Sequence, residues 1–343
     1  MRILLLGGLG LLVGIVAACS GKSDSTKTGS PAPTATSTST VPAGEGGAPK
    51  PAPEPVGWRA AVGGGGVFVQ TFDDLTWETR SAGSVDLFGV ACVGNQLGWA
   101  AGAGGAIGHT TDGGHTWTKQ ESGVTSALRS VRFGGLTLGV AVGDGGVIRV
   151  THDGGATWTA AASGTSRTLR GVAVAADRGL ALVVGDRGTV LRSADAGATF
   201  QTVSFGGATD LQGIAMENAG RVAIAVDAAG GIFLSNDAGL TFAREAAAPA
   251  ALRAIALDSF GEYALAVGDG GLVMERNAGE WTLAHAATTA NLRAALVPGA
   301  AYGGSLDYVA GEHGTLLGRR RGGTKWNVVP TNTDATLFGL EEL

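Results

Sequence analysis

Arginine returns at one position of a repeated tetrapeptide. Leu128-Arg129-Ser130-Val131, Leu169-Arg170-Gly171-Val172, Leu252-Arg253-Ala254-Ile255 and a looser Leu292-Arg293-Ala294-Ala295 share it, and Leu211-Gln212-Gly213-Ile214 sets glutamine there. A guanidinium presents a planar fork of N–H donors to a carboxylate. Arg129, Arg170, Arg253 and Arg293, with Gln212, are therefore a candidate anion-recognition set. Carboxylates recur too. Asp112, Asp153, Asp195 and Asp237 lie 41, 42 and 42 residues apart, inside TTDGGHTW (110–117), THDGGATW (151–158), SADAGATF (193–200) and SNDAGLTF (235–242). All four stretches fit [S/T]-x-D-x-G-x-T-[W/F], in which the carboxylate accepts N–H bonds from its own turn, glycine supplies the permissive dihedral and the aromatic covers the strand junction. These aspartates read as structural. The histidines His109, His115, His152, His285 and His313 follow no metal-ligand spacing, and no cofactor motif is present.

Both sets need a scaffold that repeats with the same period, and the chain supplies one. Seven tetrapeptides open with Leu87, Leu128, Leu169, Leu211, Leu252, Leu292 and Leu337. Seven Gly-rich turns are led by Gly63, Gly102, Gly143, Gly185, Asp227, Gly268 and Gly311, at spacings of 39 to 43 residues. The turns read as hairpins needing positive φ and not as phosphate cradles, because no helix pattern follows them. The third landmark is the aspartate box, intact four times and decayed at TFDDLTW (71–77), RNAGEW (276–281) and RRRGGTKW (319–326). Each unit of about 40 residues offers four short strands, the signature of a propeller. With 60 Gly, 44% hydrophobic and 15% charged residues, the expectation is an all-β, seven-bladed β-propeller of four-stranded blades spanning 57–343, monomeric. It opens on a second strand (58–62) and ends on an unpartnered first strand (337–340). The C-terminal strand is thus expected to close the first blade, since a ring left open would expose two strand edges.

Residues 1–18 carry Arg2 and an apolar run from Ile3 to Ala17, too short to span a membrane and flanked like a secretory leader. The run ends Val16-Ala17-Ala18-Cys19, which resembles the lipobox of bacterial lipoproteins. The resemblance implies cleavage before Cys19 and its lipidation, so that the chain is held to the membrane in the bacterial cell envelope. By the same resemblance, Ser20 in place of Asp favours the outer membrane. Residues 19–56 are rich in Ser, Thr, Pro and Gly, cannot bury enough apolar surface to order themselves, and read as a tether. Cys92, in Val90-Ala91-Cys92-Val93, reads as a buried core thiol. Without the leader, 23 basic residues face 29 acidic ones, which disfavours nucleic acid as a partner.

The box resembles the Asp-box, or bacterial neuraminidase, repeat. The unit from Leu128 to Thr159 most resembles the photosystem II stability/assembly factor family, and the likeness covers all seven units. It implies a non-catalytic interaction or assembly scaffold with an arginine patch for its partner. A sialidase-like or other glycan-cleaving site is the alternative. Sialidase chemistry needs a Tyr/Glu nucleophile pair, yet of Tyr263, Tyr302 and Tyr308 the first and last sit in apolar strand patterns. Two-carboxylate chemistry needs its groups about 5 to 10 Å apart, whereas Asp86 and Asp210 precede inner strands three blades apart. No catalytic residue is assigned. Strand direction puts the Gly turns on the same face as the arginines, so Asp144, Asp186, Asp269 and Glu312 are placed to pair with them. Either this pairing is the arginines' whole role, or positive potential remains to recruit an acidic protein segment or an anionic envelope polymer.

Overall fold

The computed structural model describes residues 57–285, 288–299 and 306–342. The leader, Cys19, the tether and Tyr302 lie outside the described residues. Among those described, the strands form seven four-stranded antiparallel sheets. Blade 1 joins the C-terminal strand Leu337–Glu342 to Arg59–Gly63, Val67–Thr71 and Glu78–Ser81. Blades 2 to 7 begin on the inner strands Leu87–Val93, Leu128–Phe133, Leu169–Ala175, Leu211–Met216, Leu252–Leu257 and Leu292–Leu296. Each inner strand touches the next, and Leu337–Glu342 touches both Leu292–Leu296 and Leu87–Val93, so the ring closes as the order of strands at the chain ends requires.

Burial falls off from the second strand outward. Second strands such as Gly139–Gly143, Leu180–Gly185 and Tyr263–Gly268 are buried along their whole length. They are packed on both faces by neighbouring blades, which is why they read as unbroken Val, Ala and Leu. Fourth strands such as Gln201–Thr202 are exposed. The core is accordingly divided into seven clusters, one at each blade–blade interface. Val140, Val142 and Ile148 of blade 3 pack on Leu169, Val172 and Val183 of blade 4, and Tyr308 and Leu316 of blade 7 pack on Ala61, Leu337 and Leu340 of blade 1.

The box turns sit at the end of each blade opposite the Gly turns. In blade 3, Asp153 Oδ1 accepts the Thr157 N–H at 2.9 Å and Asp153 Oδ2 accepts the Thr157 hydroxyl at 2.6 Å. The hub, however, is Thr151. It is buried, its hydroxyl donates to Asp153 at 2.7 Å, and it accepts the Gly155 N–H at 2.8 Å. The same pattern recurs at Asp112, Asp195 and Asp237. The side-chain and backbone bonds from Thr116, Thr157 and Thr199 hold Asp112, Asp153 and Asp195 at pKa values of about 2. Thr151→Val keeps the shape and deletes the hydroxyl, leaving a buried N–H without a partner. The expected cost is about 1–3 kcal/mol of unfolding free energy, measurable by denaturant titration. An unchanged midpoint would remove Thr151 from this role.

Where the box has decayed, buried charge replaces it. The Ser/Thr that opens an intact box stands across the ladder from glycine or alanine, as in Thr151 opposite Gly139 and Ser193 opposite Ala181. In blade 7 that pair is Arg319 opposite Asp307, and the two side chains meet at 3.4 Å with almost no exposure. In blade 6 the box position is Arg276, which reaches Glu245 of blade 5 at 3.0 Å. Blade 1 keeps Thr71 but sets Arg59 opposite it, and Arg59 pairs with Asp74 at 2.6 Å.

Candidate functional site

The seven inner strands open on one face, and there each breaks its register at the same place. Leu128 pairs with Gly143 and Ser130 with Val142, so Arg129 between them is the extra residue of a β-bulge. The same shift leaves out Phe88, Arg170, Gln212, Arg253, Arg293 and Phe338. A bulge residue takes no place in the ladder and its side chain is re-aimed. All seven side chains thus line one cavity of about 390 Å³ at the mouth of the central funnel. The small residue that follows each of them has its own reason. A Cβ at Gly89 would stand 3.1 Å from the Ser130 backbone of the next blade, so the tetrapeptide needs Gly, Ser or Ala for the inner strands to meet.

The Gly turns frame the mouth. In every blade the first N–H of the turn donates to the carbonyl just before the inner strand, as Asp144 does to Ala127 at 2.9 Å and Glu312 to Asn291 at 3.0 Å. Gly143 is extended, and a Cβ there would collide with the Ala127 carbonyl oxygen. Gly145 and Gly146 then carry φ of 71° and 75°, which glycine adopts without cost. Each rim arginine is paired with the turn carboxylate of its own blade. The distances are 2.8 Å for Arg129–Asp144, 2.6 Å for Arg170–Asp186, 2.5 Å for Arg253–Asp269 and 2.5 Å for Arg293–Glu312. Hydrogen bonds from the arginines lower the carboxyl pKa of Asp144, Asp269 and Glu312. The rim is therefore a ring of ion pairs and not a bare positive surface. Guanidinium capacity is left over all the same, since Arg170 spends only Nε on Asp186 and Arg129 leaves Nη1 free of protein acceptors among the described residues. Gln212 makes one long bond, from Nε2 to the Asp210 carbonyl at 3.3 Å.

The five polar positions singled out in the sequence thus meet at one mouth, while the box aspartates do not converge. The comparison that sequence reasoning passed over is Phe88 and Phe338. They occupy the arginine position in blades 2 and 1, pack edge to face at 5.5 Å, and Arg129 lies 4.8 Å over the Phe88 ring. Reading the tetrapeptide's second residue across all seven units, and not only the five polar ones, would have found them. Asp86 and Asp210 are occupied as turn caps. Asp86 accepts the Gly65 N–H at 2.8 Å and Asp210 the Arg187 N–H at 2.9 Å, each in the preceding blade. His115 and His152 bond backbone carbonyls, and His109 stacks on Trp99 at 4.9 Å with burial lowering its pKa. Cys92 corrects an expectation. It packs against the core cluster between blades 1 and 2 but is only partly buried, because it borders a second cavity of about 380 Å³. Enclosure, and next the Glu341 carboxylate, raise its thiol pKa well above the usual range.

No family description matches this chain, and no curated protein matches it. Solved structures do. YCF48 from Cyanidioschyzon merolae is 19% identical with a TM-score of 0.62, over 77% of this chain and 92% of its own. A structure described as YCF48 bound to D1 peptide is also 19% identical, with a TM-score of 0.59, over 76% of this chain and 87% of its own. The likeness lies in the fold.

Proposed function

We propose that this chain is a non-catalytic scaffold of the bacterial cell envelope, held to the membrane through lipidated Cys19, whose propeller captures an acidic segment of a protein partner at the funnel mouth. The observation that carries the reading is the ring of bulge residues. Seven side chains are freed from the strand ladder and gathered at one cavity, among them Arg129, Arg170, Arg253 and Arg293 with donors unspent. A ladder that needed only stability would not have to release the same residue in every blade. A protein of the same fold has been seen with a peptide bound, which supports a peptide as the class of ligand.

The test is capture from native membranes with the tagged full chain, read by mass spectrometry. Arg129→Gln combined with Arg170→Gln should lower recovery of the principal partner at least tenfold. The melting temperature should barely move, because both pairs are about a third exposed and such pairs contribute about 0–1 kcal/mol each. Equal recovery by the double variant would refute the mouth as the capture site. In the same preparation Cys19→Ala should leave the membrane fraction, and its retention after a salt wash would refute the anchor.

A further inference from the structure

The mouth is not symmetric, and its asymmetry specifies what enters. We infer that the ligand is a peptide carrying carboxylates on the side of blades 2 to 4 and an apolar or aromatic side chain against Phe88 and Phe338. The inference rests on the mouth being the capture site.

The chain itself shows what a carboxylate does here. The middle N–H of the Gly turn points to the next blade, and in blades 1 and 4 that blade supplies an acceptor, Asp86 for Gly65 at 2.8 Å and Asp210 for Arg187 at 2.9 Å. Blade 6 is served by the Asn291 amide oxygen at 2.9 Å, and blade 5 by its own Asp227, which accepts the Ala229 N–H at 2.9 Å. In blades 2 and 3 the position is empty of acceptor. Ala127 stands where Asp86 would in one, and Thr168, which offers no carboxylate, stands there in the other. The exposed N–H groups of Gly104 and Gly145 consequently have no protein acceptor among the described residues. The His313 N–H of blade 7, also without a protein acceptor among the described residues, stands apart from this pair.

Two acceptor positions on adjacent blades are thus unfilled, and each adjoins a rim arginine. Arg129 and Arg170 follow in blades 3 and 4, each with N–H donors to spare. A carboxylate entering here would take the turn N–H as Asp86 does and a guanidinium N–H beside it, which makes both bonds charge-assisted. On the other side of Gly104 the bulge residues are Phe88 and Phe338, half-buried rings at 5.5 Å that leave aromatic surface facing the cavity. A free phosphate or a uronic-acid polymer would satisfy the donors and leave these rings uncovered. A peptide with acidic and apolar residues a few positions apart satisfies both.

The test uses the full chain and dye-labelled decapeptides followed by fluorescence anisotropy. One peptide carries Glu-x-Glu-x-Phe, a second replaces Phe with Ser, and a third replaces both Glu with Gln. Each is made with a free and an amidated C-terminus, to separate side-chain from terminal carboxylates. The first should bind at least tenfold more tightly than either of the others. Ala127→Asp plants in blade 3 the carboxylate that Asp86 gives blade 2. It should weaken the acidic peptide at least tenfold while leaving the melting temperature unchanged or higher, so that loss of folding does not explain the loss of binding. Phe88→Ala should erase the advantage of Phe over Ser, and Arg129→Gln should cost at least fivefold more than Arg253→Gln. Equal binding of the Phe and Ser peptides, no effect of Ala127→Asp, or displacement by polygalacturonate at lower concentration than by peptide would each overturn the inference. If partner capture depends on Arg129 and Arg170 but no peptide binds, the oriented site fails and the scaffold reading stands. If capture ignores those arginines, the scaffold reading itself fails.

Discussion

Removing residues 334–343 should abolish cooperative unfolding. The strand Leu337–Glu342 is the inner strand of blade 1 and lies between blades 7 and 2. Its loss takes Leu337 and Leu340, both fully buried, out of the last interface cluster, at about 1.5–3 kcal/mol for each side chain. It also takes the Glu342 carboxylate from Arg59 and from the Gly299 N–H, and the Glu341 carboxylate from Arg132 at 2.6 Å. What remains exposes the open edge of Arg59–Gly63 and the unfilled faces of two neighbours. For a domain whose whole stability is about 5–15 kcal/mol, that loss is a large share of it. The expected result is an aggregating chain with no sharp melt by circular dichroism. A truncated protein that stays soluble and melts within a few degrees of the intact one would show that the ring does not depend on this strand.

The second large effect is expected at Asp307. It is fully buried, accepts the Tyr263 hydroxyl at 2.8 Å, and faces Arg319 at 3.4 Å and Arg321 at 3.3 Å. Burial raises its pKa in spite of both guanidinium groups. Asp307→Ala takes from the buried Tyr263 hydroxyl its acceptor, leaving it only the bond it accepts from Arg319 at 2.7 Å, and takes from Arg319 one of its two carboxylates. Breaking one partner of such a pair costs about 3–5 kcal/mol. Glu275 still holds Arg319 at 2.9 Å, which places the expected loss toward the lower end, about 3 kcal/mol in urea titration. Asp307→Asn, which keeps an acceptor for Tyr263, should lose less. If Asp307→Ala is as stable as the parent, the network does not replace the missing box.

Most of the architecture is legible because it is written seven times. The Leu openings, the Gly turns and the boxes give the strand count, and the order of landmarks at the two ends gives the shared blade. Nor is the rim pairing hidden, since Arg129 and Asp144 follow from strand direction alone. What was not read is the bulge, although its signal was present. In Leu128-Arg129-Ser130-Val131 the buried residues are three apart, which a regular strand of period two does not allow. The Asp307–Arg319 pair stayed hidden for another reason. It depends on a cross-strand register within a unit whose box had already decayed, so no repeat pointed to it. Cys92 does pack against the core, but its apolar sequence neighbourhood does not reveal the cavity that leaves it partly exposed.

The bulges separate two jobs that most β-proteins give to the same atoms. Stability resides in the leucines, the small residues after the bulge and the paired backbone, while the seven side chains at 88, 129, 170, 212, 253, 293 and 338 take no part in the ladder. On the proposed function, substitution there would change what the mouth recognises and leave the strand ladder intact. Recognition is thereby free to drift one blade at a time, and a lineage could exchange partners through single replacements, each tolerated by an unaltered scaffold.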